Sequence, residues 1–210
     1  MKTSLATLTT ALLLSTLSTA YAASTVELTV KGLITPAACT PNLSAGGVID
    51  HGKISAKDID QDMGKLLNST LQLTVNCDAQ TLFALRGIDN RAASSNMPGV
   101  GYGLGMINGT QKIGSYTLMP TQAQADGVSI EPLESFDNGT TWMTLGGDTA
   151  WTQANLAGFG DRSSGAWFPV PIQDLTTTLA VQTAIAPAKN LDLSNEVLID
   201  GSATLEVKYL

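Results

Sequence analysis

The sequence predicts an all-β sandwich, and three observations carry that prediction. Short runs with period-two apolar alternation recur along the chain, as strands with one buried face require; Leu71, Leu73, Val75 and Cys77 form the cleanest of them. Turn residues punctuate these runs, including the Asn-Gly pairs 108–109 and 138–139, a strong two-residue hairpin signal. The composition is rich in glycine (20 residues) and only 14% charged. That balance suits strands and tight turns better than amphipathic helices.

The elements follow in order. Lys2, the apolar stretch Leu5 to Leu17 and the small-x-small run Ala20-Tyr21-Ala22 read as a secretory leader over residues 1–22, with the mature start at Ala23. The stretch is too short and too interrupted by Ser and Thr for a membrane span of about 20 apolar residues. Val26-Glu27-Leu28-Thr29-Val30 is the first strand, and Gly32 to Cys39 continues it. Val48 to Ile54 is the next, followed by a short helix or turn within Ala56 to Leu67. Thr70 to Cys77 and Leu82 to Leu85 come after it.

A glycine-rich strand, Val100 to Ile107, turns at Asn108-Gly109 into Ile113 to Met119. Ile130 to Phe136 turns at Asn138-Gly139 into Thr141 to Leu145. Residues 146–165 read as loop, with a short helix or turn at Thr152 to Ala157. Trp167 to Val170, Thr177 to Ile185, Glu196 to Ile199 and Ala203 to Tyr209 are the remaining strands. No repeat or linker divides the rest, so residues 32–210 read as one domain.

The formal charge of −7 argues against nucleic acid or an anionic membrane as partner. Two cysteines, Cys39 and Cys77, in an exported chain read as a disulfide. The loop it closes gives about 3–4 kcal/mol in the chain-entropy view.

Catalytic and ligand chemistry find little support, and no cofactor is expected. Asp58-Ile59-Asp60-Gln61-Asp62 begins like a calcium loop, but Met63 and Ser69 stand where such a loop needs Gly and Glu. The alternating Gly99, Gly101, Gly103 and Gly105 lead into a turn rather than a helix, so a bend or close packing fits better than a dinucleotide site. His51 is the one histidine, read as a surface or turn residue, and no G-x-S-x-G elbow accompanies it. Asp148, Asp161 and Asp174 offer carboxylates without a pairing signal. Trp142, Trp151 and Trp167, with Phe159 and Phe168, are core or loop anchors on the plainer view, and a sugar-stacking surface on the alternative one.

The segment Gly32-Leu33-Ile34-Thr35-Pro36-Ala37-Ala38-Cys39 resembles the region around the first cysteine of chaperone–usher pilins. Val48 to Ile54, Leu71 to Cys77 and an ending with Tyr209 next to last are similar to the same family. Gly101 to Met119 is similar to a fimbrial-like subgroup. Asn195 departs from the pattern, since many pilins carry glycine fourteen residues before the penultimate tyrosine.

The resemblance implies an incomplete immunoglobulin-like sandwich, of pilin type, whose vacant strand position is filled by another chain. It implies a donor segment at residues 23–31, with Val26, Leu28 and Val30 as knobs and Gly32 at a tightly packed end. It implies an acceptor groove edged by Leu33 to Ala37 and by the last strand, with Leu205, Val207 and Tyr209 in the groove and the Leu210 carboxylate as a chaperone's anchor. The implied partners are other pilin subunits, a periplasmic chaperone, an outer-membrane usher and a host-surface receptor. The implied location is a surface fimbrium reached through the periplasm. A secreted adhesive or sugar-binding β domain is the alternative.

Overall fold

The computed structural model describes Thr29 and residues 38–210. Contacts divide the chain into Met1–Ile34 and Thr35–Leu210, and the architecture below belongs to the second unit. The expected donor residues Val26, Leu28, Val30 and Gly32, and the expected groove edge Leu33 to Ala37, lie outside the described residues.

The strands are β1 (Cys39–Leu43), β2 (Lys65–Thr81), β3 (Phe83–Asp89), β4 (Tyr102–Gly103), β5 (Met106–Ile107), β6 (Gln111–Lys112) and β7 (Gly114–Ala125). They continue with β8 (Val128–Ser129), β9 (Glu131–Ser135), β10 (Met143–Thr144), β11 (Leu156–Asp161), β12 (Phe168–Pro169), β13 (Ile172–Ile185) and β14 (Ala203–Tyr209). Helical structure among the described residues is confined to single 3₁₀ turns such as Ala56–Asp58 and Ala188–Asn190. The fold is all-β, as the alternation requires.

Two open antiparallel sheets make the sandwich. One runs β1-β2-β13-β7-β4, with β8 on β7; the other runs β10-β9-β11-β3-β14, with β12 on β11. A small third sheet is the β5–β6 hairpin. Leu73 and Val75 of β2 and Leu175 and Leu179 of β13 pack in one core with Phe83 and Leu85 of β3 and Phe159 of β11. All seven are 2% exposed or less, so the inward-facing residues of each sheet complete the burial of the other. Where β7 opposes β13, the register shifts between Thr176 and Thr178, and Gln122 adopts a φ of 52°. One extra residue on β7 is accommodated there as a bulge.

Cys39 lies directly opposite Cys77 in the β1–β2 register, and the two are joined as a disulfide. The bond fastens a five-residue strand to the sheet's longest one. Both Asn-Gly turns form hairpins. Thr110 N–H donates to Ile107 O around Asn108 and Gly109, both at positive φ, and β10 returns on β9 in the register Met143↔Glu134.

Several sequence expectations need correction. Residues 146–165 are not all loop: Leu156–Asp161 is β11, which pairs with β9 and β3 inside the second sheet. Its Leu-Ala-Gly-Phe-Gly run lacks the branched side chains that signal a strand. The glycines are there because a Cβ on Gly160 would fall 1.8 Å from Phe168 O, and one on Gly158 would fall 2.6 Å from the Trp142 ring. The Thr152 to Ala157 helix is absent; a turn closed by Asn155 N–H on Thr152 O leads into β11. Ala56 to Leu67 holds only a three-residue 3₁₀ turn before β2 begins at Lys65.

The glycine-rich strand is broken into β4 and β5 at Gly105, whose φ is 99°. Close packing does account for Gly103, where a Cβ would meet Ser94 Oγ at 2.2 Å and Arg91 O at 2.3 Å. Val48 to Ile54 and Glu196 to Ile199 were expected as strands, and neither joins a ladder among the described residues.

Candidate functional site

Those two unladdered segments line the largest opening in the described structure. β1 is an edge of the first sheet, paired with β2; β14 is an edge of the second, paired with β3. The two edges face each other across a gap. The wall that starts with β1 continues through the turn Ser44–Gly47 into residues 48–55, and the opposite wall is residues 191–202 followed by β14. The walls run antiparallel, because Cys39 lies against Tyr209 while Leu43 and Leu205 line the same cavity.

The alternation that made these segments look like strands aims their apolar side chains into the gap. Ile49, His51 and Ile54 on one wall, and Leu191, Leu193, Val197 and Ile199 on the other, are half-buried, while intervening residues such as Val48 and Leu198 are 65% and 80% exposed. Two cavities result. One, of about 270 Å³, is lined by Leu43, Ala203 and Leu205 above the floor residues Leu71, Leu118 and Leu179. The other, of about 530 Å³, is lined by Ile54, Leu191, Leu193 and Val197 above Ile59, Ile113 and Ile185. They meet at Ile49, His51 and Ile199, which line both.

No main-chain hydrogen bond joins one wall to the other among the described residues. The N–H groups of Ile49, His51, Lys53 and Ile54, and those of Leu193, Val197 and Ile199, find no acceptor among them. Two side-chain contacts cross the gap. At one end Cys39 N–H donates to the Tyr209 hydroxyl at 2.9 Å. Farther along, Lys53 Nζ and Glu196 Oε1 approach to 3.6 Å, both 96% exposed, where an ion pair contributes little. Such a trough has what an extended peptide needs: unpaired backbone on both sides and apolar pockets between.

The polar features inside are few. His51 Nε2 lies 3.0 Å from Thr183 Oγ1 of β13. His51 is thus a half-buried groove residue rather than a surface or turn one. Tyr116, also in the smaller cavity, has its hydroxyl pushed above the usual range by burial and then by the charge of Asp89, so it stays neutral.

Of the residues expected at the acceptor site, Leu205 lines the smaller cavity. Val207 is half-buried against the core without lining either cavity. Tyr209 makes the cross-gap bond just described. Leu210 is 46% exposed; its N–H donates to Leu82 O, and its side chain lies beside Gly139. The neighbouring Lys208 Nζ reaches Asn138 Oδ1 in the β9–β10 turn. Ile49, Ile54, Leu191 and Leu193 are groove residues that the sequence reading did not single out, although Leu191-x-Leu193 and Val197-x-Ile199 carry the same period of two.

The other candidates are drawn into structural roles. Asp60 accepts from the N–H groups of Asp62 and Met63, which lowers its carboxyl pKa, and Asp62 pairs with Lys189. Trp151 is fully buried, its indole N–H on Asn155 O. Trp142 donates to Gly139 O, and its ring lies on Gly158. Trp167 stays half-buried. Asp161 accepts from Ser163 N–H and Asp174 from Asn76 Nδ2, so these carboxylates serve separate loops.

The fold and the groove define a class: an all-β sandwich with one disulfide and an unclosed apolar trough between two sheet edges. Comparison with known proteins adds relatives. A family described as a protein of unknown function (DUF1120) matches residues 28–100, the stretch that carries both cysteines and strands β1 to β3. The chain is similar to Protein GltF of Escherichia coli (strain K12), 27% identical over 225 aligned residues that cover 88% of each chain. It is also similar to Uncharacterized protein YhcF of the same organism, 27% identical over 226 aligned residues covering 91% of this chain and 93% of the relative.

Proposed function

We propose that this protein is a structural subunit of a surface pilus that polymerises by lending an N-terminal strand to its neighbour's groove. The observation that carries the reading is the trough itself: two facing sheet edges, unpaired with each other, over an aliphatic floor. Val26, Leu28 and Val30 alternate with polar residues as such a strand must. Seven extended residues reach about 23 Å, enough to run along most of a sandwich. Three branched aliphatic side chains contribute about 1.5–3 kcal/mol each when fully buried, before ordering costs. Leaving would re-expose the whole trough, so dissociation is slow.

On this reading a periplasmic chaperone covers the trough before assembly. An outer-membrane usher exchanges it for the next subunit, and the fibre stands on the cell surface. The test is to delete residues 23–31 and follow assembly in cells by electron microscopy and by the ladder of denaturant-resistant multimers. The expected result is a chaperone-bound subunit that can cap a fibre and never extends one. Normal fibres from the truncated chain end the proposal.

A further inference from the structure

We propose that His51 makes strand capture by this groove weaken in acid. This rests on the reading of the trough as a strand acceptor. His51 sits where the two cavities join, half-buried among Ile49, Ile199 and Thr183. Histidine is the side chain whose charge changes between pH 5 and 8, and covering a charged group with apolar surface disfavours the charged form. An apolar strand laid over His51 therefore favours its neutral state. By linkage, capture is undiminished at alkaline pH and declines as the imidazole takes up a proton.

The surrounding charges do not take over this role. Asp50 and Lys53 belong to the same wall; the Asp50 carboxylate accepts from Gly52 N–H, and Lys53 faces Glu196 in solvent. On the opposite wall Asp192 is held by Ser194 and Asn108, and Asp200 by Arg91. Glu206 of β14 is exposed, and its partner residue across the ladder is Arg86. β13 offers Thr183, and β7 offers Tyr116, whose hydroxyl stays protonated. Carboxylates and tyrosine titrate outside the window in which histidine changes charge.

The experiment titrates a labelled synthetic peptide of residues 23–32, carrying Glu27→Gln to remove its own carboxylate, into the exported chain 23–210 between pH 8 and 5.5. The expected result is unchanged uptake down to neutral pH, then a fall of about tenfold for each pH unit by which capture favours the neutral imidazole. His51→Gln and His51→Asn should bind as the parent does at pH 8 and stay within about twofold across the range, allowing for ordinary error in such comparisons. A pH-independent parent overturns the inference and leaves the strand reading standing, as does a slope that survives both substitutions. Absence of uptake by every variant at every pH overturns the strand reading, and this inference with it.

Discussion

The paired strands β2 and β13 and the facing walls 48–55 and 191–199 are written in the same code, with apolar residues two apart, but they end differently. In the first pair Leu73, Val75, Leu175 and Leu179 are at most 1% exposed, and the ladder runs unbroken from Asp174↔Asn76 to Ile185↔Lys65. In the second, Ile49, Ile54, Leu193 and Ile199 stay half-buried, and the backbones face each other without a bond. Alternation sets an extended backbone and its sidedness. Ladder formation also needs a neighbour at about 4.8 Å, and across the trough that neighbour is missing. The difference separates residues kept for the monomer's stability from residues kept for something that enters later.

Substitutions can break that contrast, and the largest effect belongs to the laddered side. Leu73→Ala should destabilise the monomer by about 2–5 kcal/mol in urea unfolding, since the side chain is fully buried and leaves a cavity. A loss under 1 kcal/mol would mean that the two regions are energetically alike. Replacing both Cys39 and Cys77 by serine should cost about 3–4 kcal/mol on the loop-entropy view. It should also free β1, so strand capture falls with stability; unchanged capture would place the groove's rigidity elsewhere.

Gly160→Ala should cost roughly 1–3 kcal/mol, because its Cβ would overlap Phe168 O and push β12 off β11. Hydrogen exchange confined to residues 156–170 reads that displacement. Leu205→Ala, on the groove side, should change monomer stability by less than about 1.5 kcal/mol, as expected for a half-exposed residue. Capture should weaken more than stability does, and equal losses in both would erase the distinction.

The smallest effect is in acid. Asp137 accepts from the N–H groups of Thr141 and Thr140 and from the Thr141 and Ser135 hydroxyls, which hold its carboxyl down at about 2. A depressed carboxyl stabilises the fold above its unfolded value near 3.9 and loses that contribution as pH falls toward 2. Asp137→Asn should flatten the decline in stability between about pH 4 and pH 2. An unchanged acid limb would show that the turn's hydrogen bonds persist in the unfolded chain.

Much of the sandwich was legible because its signals are local. β2, β7, β13 and β14 announce themselves by period-two patterning, and both Asn-Gly hairpins by the positive φ those residues tolerate. The even cysteine count pointed to the Cys39–Cys77 bond. β11 was hidden because its identity is defined by what lies over it. Gly158 and Gly160 look like loop residues until Trp142 and Phe168 are seen occupying the space their side chains would fill.

The groove was half legible. Leu205 belongs to a strand the pattern reveals, whereas Ile49, His51 and Leu193 become groove residues only because two segments distant in sequence face each other across the sheets' edges. The sequence by itself determined which residues are extended, which side of each run is apolar and which turns can be tight, because these depend on neighbours a few residues apart. The tertiary structure alone decided which extended runs acquire partners and which are left facing an open trough. Pairing is a property of the space beside a strand, and residues far away in the chain fill that space or leave it free.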